Sequence, residues 1–145
     1  MSLVETPGST APGRLPSAWA NRLGWLATVL AVLVSSFFAM FAFGETAGWS
    51  LEGIGHFVQL VPVLGITVLA IAVPWSGAVL ALLGVLAGVL FRNGIGLVLG
   101  LMLVAAGAGF FFGRPAPRRL AYWIAVGVPV LVGLLTLVMV AVFGP

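Results

Sequence analysis

The sequence predicts an all-α fold, a polytopic transmembrane bundle of five helices. Three observations carry this. First, 62% of the residues are hydrophobic and only 6% are charged, whereas soluble domains carry roughly 25% charged residues. Second, the mean hydropathy of +1.27 comes from apolar runs of about the length that crosses a bilayer, near 20 residues. Third, those runs are separated by short clusters of Gly, Pro, Asn and Arg, which end membrane helices. At 145 residues the chain has room for four or five spans and one tail, and no soluble domain.

Residues 1–18 are rich in Pro, Gly, Ser and Thr. Such a segment buries too little apolar surface to offset its ordering entropy, so a disordered cytoplasmic tail is expected. The helical domain covers 19–145. Its first span, 23–43, begins beside Trp19 and Trp25, whose amphipathic rings suit the headgroup level. Arg14 and Arg22 precede it, and aromatic residues thicken its far end.

A polar stretch then leads to the second span, 57–73. Pro62 lies inside this span and removes one backbone donor, so a kink near Val58 is expected. Pro74-Trp75-Ser76-Gly77 signals a tight turn. The third span, 77–91, is short. Arg92-Asn93-Gly94 separates it from the fourth, 95–112. Two prolines and three arginines between Gly113 and Arg119 exclude a lipid-buried helix there. The fifth span, 120–143, opens with Tyr122 and Trp123 and carries Pro129.

Four spans is the alternative, with 77–112 crossing once. That crossing would use about 36 residues where a bilayer asks for about 20. It would also put Arg114, Arg118 and Arg119 outside. Five spans place Arg14, Arg22, Arg114, Arg118 and Arg119 on the cytoplasmic side and Arg92 alone outside, as the positive-inside bias favours. The N-terminus is then cytoplasmic, the C-terminus exterior, and the stretch from Glu45 to His56 faces out.

The net charge of +3 and the isoelectric point near 11.3 do not indicate nucleic acid, because the six basic residues are spread over helix ends rather than gathered on one face. With no cysteine there is no disulfide or thiolate chemistry. Without lysine, a phosphate-cradling Gly-rich loop of the Lys-bearing type is also excluded. Ser35, Ser36, Thr67 and Thr136 have no general base within their own spans. No enzyme activity and no cofactor are expected.

Chemistry concentrates between Gly44 and Pro62. Glu45, Glu52 and His56 are the only acid–base side chains between Arg22 and Arg92. Glu52, His56 and Gln59 fall at i, i+4 and i+7 and share one face of a helix. That face could bind a proton, a cation or a polar head group, as ionisable groups at membrane depth often do. At an interfacial depth, however, the Glu52–His56 pair reads first as a solvated contact worth a few tenths of a kcal/mol. Glu45, Glu52 and His56 together would make three metal ligands, but a single histidine and the wrong spacing argue against a metal site.

Small residues recur at helical spacing: Gly77, Ala81, Gly84 and Gly88 in the third span, Gly96 and Gly100 in the fourth. Faces of this kind let membrane helices approach closely. Packing within the bundle is the first reading, and a homodimer face the second.

The segment FAFGETAGWSLEGIGHFVQLVP followed by AVPWSGAVLALLG resembles a group of small bacterial integral membrane proteins classed as a domain of unknown function. The matching positions are Phe41, Phe43, Glu45, Glu52, Leu60, Pro62, Trp75, Gly77 and Gly84, within about residues 37–90. The resemblance implies a bacterial inner membrane and a four-span pattern, to which the fourth span here would be an addition. In that pattern a histidine stands where this chain has Gln59, and His56 lies one turn earlier. No activity is implied.

The expected function is that of a non-enzymatic accessory or structural subunit acting through helix packing. Its partners would be the lipid bilayer and other membrane subunits or a second copy of itself. The alternative is a small transporter or channel component with a polar opening at Glu52, His56 and Gln59.

Overall fold

In the computed structural model of the protein, the described residues are 17–46 and 51–144, without the side chains of residues 46, 52 and 53. Five helices account for nearly all of them: α1 Ala18–Thr46, α2 Leu51–Ala72, α3 Ser76–Leu90, α4 Gly94–Phe112 and α5 Arg118–Phe143. No strand occurs among the described residues. The first 16 residues of the expected tail lie outside this description.

Four helices, α1, α2, α4 and α5, are long and apolar enough to cross a membrane. With 15 residues, α3 spans only about 22 Å at 1.5 Å per residue, against a hydrocarbon core of about 30 Å. The segment expected to cross either once or twice therefore folds back on itself. Gly77 lies against Gly107, Gly84 against Gly100, and Phe91 against Gly96, so α3 and α4 form an antiparallel hairpin.

The turns fall where the sequence places them. Between α2 and α3, Ser76 N donates to Val73 O and Gly77 N to Pro74 O, at 3.1 and 3.0 Å. Between α3 and α4, Asn93 adopts an extended conformation and its side chain accepts from Gly96 N at 2.7 Å. This satisfies one of the donors that every helix start leaves open. α2 continues unbroken through Pro62 and α5 through Pro129. In both, the proline leaves the carbonyl four residues earlier without its helical donor.

α1 is the central element, packing on α2, α4 and α5. Its start is fastened to the segment between α4 and α5. Arg114 N donates to Ala20 O at 2.9 Å, Ala116 N to Asn21 Oδ1 at 2.8 Å, and Trp25 Nε1 to Ala116 O at 3.1 Å. Pro115 is fully buried in this junction, and the Ala116–Pro117 peptide is cis. Gly24 and Gly113 allow the close approach, since a Cβ at either position would collide with the facing backbone.

At the other end of α1, Phe43 lies against Gly133 and Gly44 against the Thr136 methyl of α5. α1 and α5 are thus parallel, with α2 and α4 running opposite to them. One end of the bundle gathers the start of α1, the α2–α3 turn and the α4–α5 segment. It carries Arg22, Arg114, Arg118 and Arg119, with the exposed Trp19, Trp75 and Trp123. The opposite end holds the end of α1, the start of α2, the α3–α4 turn and the end of α5.

Small side chains line the interior. Ala121, Ala125, Pro129 and Gly133 are all buried at four-residue intervals along α5, and Ala27, Ala31, Ala39 and Ala42 are buried on α1. Lipid tails are as apolar as the helices, so association here relies on close van der Waals packing rather than on exclusion of water. Phe110, Ile71 and Leu80 are the large residues that fill the remaining space.

Candidate functional site

The described residues of the polar stretch between the first two spans are helical. α1 runs on through Gly44 and Glu45 to Thr46, and α2 begins at Leu51, six residues before the expected start of the second span. Two helical ends that would otherwise be glycine-bearing loop now face each other, and they carry the site.

Glu45 on the last turn of α1 meets His56 on the second turn of α2. The His56 Nδ1 to Glu45 Oε2 distance is 2.9 Å. Both side chains are about a third exposed, at 29% for His56 and 32% for Glu45. The imidazole also stacks on Phe41, with centroids 5.5 Å apart and planes 27° apart. Phe41 leans in turn on Phe37 at 4.9 Å, and Phe43 meets Phe57 edge to face at 5.2 Å. His56 is therefore held at its edge by a carboxylate and at its face by a ring.

This arrangement fixes the ring's chemistry. With Nδ1–H donating to Glu45, the other ring nitrogen is an acceptor in the neutral ring and a donor in the charged one. The sequence pointed to Glu52 as the partner, one helical turn away. The structure adds Glu45, on the preceding helix, as a partner of His56, while the Glu52 side chain, and with it the expected Glu52–His56 contact, lies outside the described residues. Among the described residues, no three of His, Asp and Glu gather as a metal site would require.

Gln59 lies one turn beyond His56 along α2, and both line a recess of about 150 Å³. The α3–α4 turn closes the far side through Phe91, Asn93 and Gly96, and α1 contributes Phe37 and Phe38. Sequence reasoning missed Asn93 as a member of this site. Its helix-capping position was legible, but that the shorter hairpin would bring its turn to the level of Gln59 was not. Below this recess a second, apolar one of about 220 Å³ follows α2 and α3 past Pro62, Val63 and Leu86. Phe38, Gln59, Ala87 and Phe91 line both, so the two recesses adjoin along these residues, the upper one polar and the lower one apolar.

The small-residue positions divide. Gly77, Ala81, Gly84 and Gly100 lie in the α3–α4 contact. A Cβ on Gly84 would stand 2.6 Å from the Gly100 carbonyl oxygen, and one on Gly100 only 3.0 Å from Gly88 N. Gly88's own Cβ would meet nothing closer than Leu97 Cδ2 at 4.0 Å, and Gly96 packs under Phe91 in the turn rather than along α3. Gly107, absent from the sequence reading, faces both Gly77 and Ala81. The face is thus used inside the chain.

Searches of family models, curated proteins and solved structures give no match to this chain.

Proposed function

We propose that the protein is a non-enzymatic accessory or structural subunit of a bacterial inner membrane, with a cytoplasmic N-terminus, acting on other membrane subunits through helix packing. The observation that carries this reading is the poverty of the bundle's interior. The buried polar side chains among the described residues are Thr28, Ser35, Thr67 and Ser76. Thr28 and Thr67 bond to carbonyls of their own helices, at 2.8 and 2.6 Å. A carrier places ionisable groups near the bilayer midplane, and the ionisable groups described here sit at the two ends and in the α3–α4 turn. The orientation rests on the arginines and exposed tryptophans gathered at the end where α1 starts. The likeness of residues 37–90 to small bacterial membrane proteins agrees with that setting.

Purification from native membranes in mild detergent tests this reading. The expected result is a membrane protein partner recovered in fixed ratio to this chain. Recovery of the chain alone, at every detergent that preserves its helicity, overturns it.

The Glu45–His56 contact beside a recess favours a second reading, a small transport component with its polar opening at the outer end. Reconstituted vesicles that pass protons or cations with the parent protein, and not with His56→Gln, would establish it.

A further inference from the structure

We propose that the groove between α2 and α3 binds one neutral amphiphile, a benzoquinone-type ring with a hydrocarbon tail, its ring in the recess beside His56 and its tail along the apolar continuation. This goes beyond the subunit reading and does not depend on it.

Polarity sets the orientation of such a molecule. The upper recess presents His56, Gln59 and Asn93, whereas the lower one is lined by hydrocarbon apart from Gln59 at the junction. A ligand that fits both must be polar at one end and apolar along the rest. Size limits the head. The upper recess measures about 150 Å³, and a cavity of about that volume admits a single six-membered ring.

Charge decides against a phospholipid. A phosphate head calls for a guanidinium or an ammonium with several donors. Arg92, the one cation near the α3–α4 turn among the described residues, lies in a separate depression with Gly88, Val89 and Leu97. Among the described residues that line the recess, His56 is the one titratable side chain, and it meets Glu45.

The lining matches a flat ring bearing oxygens. Phe37, Phe38 and Phe91 offer faces and edges on which a planar ring packs. Gln59 offers an amide NH₂. Asn93 uses Oδ1 to cap α4, so the group it has left to offer a ligand is the donor Nδ2. Ring carbonyls are acceptors, and these amides are donors.

The test uses the full chain in mild detergent and three probes: a decyl-substituted benzoquinone, 1-decanol, and a short-chain phosphatidylglycerol. Calorimetric titration should show saturable binding of the quinone, one per chain, with weak or no binding of the other two. Gln59→Leu removes a donor worth about 1 kcal/mol and should weaken binding about 5-fold. Ala87→Phe fills the junction of the two recesses and should abolish binding, and Leu82→Ala, on an exposed face, should leave it unchanged. Circular dichroism of each variant separates lost binding from lost folding, and the Gln59 variant carries the test if Ala87→Phe misfolds. Equal binding of decanol would reduce the site to a tail groove. Equal binding of phosphatidylglycerol would make it a lipid site. Unchanged quinone binding in both variants would place the probe elsewhere. Each of these three results overturns the proposal.

Discussion

His56 Nδ1 lies 2.9 Å from Glu45 Oε2, and this contact ties the end of α1 to the start of α2 across a connection of four residues. Because both groups are about a third exposed, water screens much of their attraction. A double-mutant cycle with Glu45→Gln, His56→Gln and the pair, read from unfolding in mixed micelles, should give a coupling of about 0.5 kcal/mol and no more than about 1. A coupling indistinguishable from zero would mean that the two side chains do not hold this contact in detergent.

The α3–α4 hairpin makes a sharper demand. Gly84 and Gly100 stand where a Cβ would press into opposing backbone, and rigid backbone yields less readily than a side chain. Gly84→Ala or Gly100→Ala should cost about 1–3 kcal/mol, as overpacked positions do. Gly88 has room for a methyl group, so Gly88→Ala should be neutral or stabilise by up to about 1 kcal/mol through helix propensity. Sequence spacing alone ranks Gly84 and Gly88 as equals, and the structure separates them. Equal losses at the two positions, measured by the same unfolding assay, would mean that the hairpin packs on another face.

The helices were legible because each apolar run ends in residues that stop a membrane helix for identifiable reasons: Pro74, Asn93, Pro115 and Pro117. The ends around the polar stretch were not. The sequence places residues 44–56 outside the first two spans, yet α1 and α2 extend into this stretch from both sides. Tertiary contacts support the two helix ends, with the Thr136 methyl against Gly44 and Glu45 against His56. The site was half legible. His56 and Gln59 were found from their spacing on one helix. Glu45 as the partner of His56 depends on how two helices meet, which no local spacing encodes. Asn93 entered the recess because α3 is short. The buried stripe Ala121, Ala125, Pro129 and Gly133 did carry a signal, four-residue spacing of small residues, hidden in a span that is apolar throughout.

The junction at the start of α1 predicts a protease result. Asn21 Oδ1 and Trp25 Nε1 hold the backbone of Ala116 from two sides, next to Arg118 and Arg119. Losing one such hydrogen bond costs about 1 kcal/mol, so opening of the segment should become about 5-fold more frequent. Asn21→Ala should accelerate tryptic cleavage at Arg118 and Arg119 by about that factor, and Trp25→Phe should do so to a similar extent. Cleavage at the parental rate in both variants would show that the junction does not restrain the segment.

The last prediction concerns threading, and the chain's lack of cysteine makes it clean to test. α1 and α5 run in parallel and α4 opposite to them, while α3 leads away from the starting end and α4 returns to it. If the bundle crosses the membrane as it is threaded, Trp75 and Arg119 emerge on one side and Arg92 on the other. Single substitutions Trp75→Cys, Arg119→Cys and Arg92→Cys then report the sides independently. In intact cells, a membrane-impermeant maleimide should label Arg92→Cys and spare the other two until the membrane is opened. The shortness of α3 adds a further expectation. Its hairpin tip stands near the level of Phe37 and Phe38, below the Glu45 end of α1, so labelling at position 92 should be slower than at a cysteine placed at Phe143, which is exposed at the end of α5. Arg92 can still reach water, because a long basic side chain extends from shallow depth to the interface. Labelling of Trp75→Cys from outside, with Arg92→Cys protected, would invert the orientation and leave the positive-inside argument without its support in this chain.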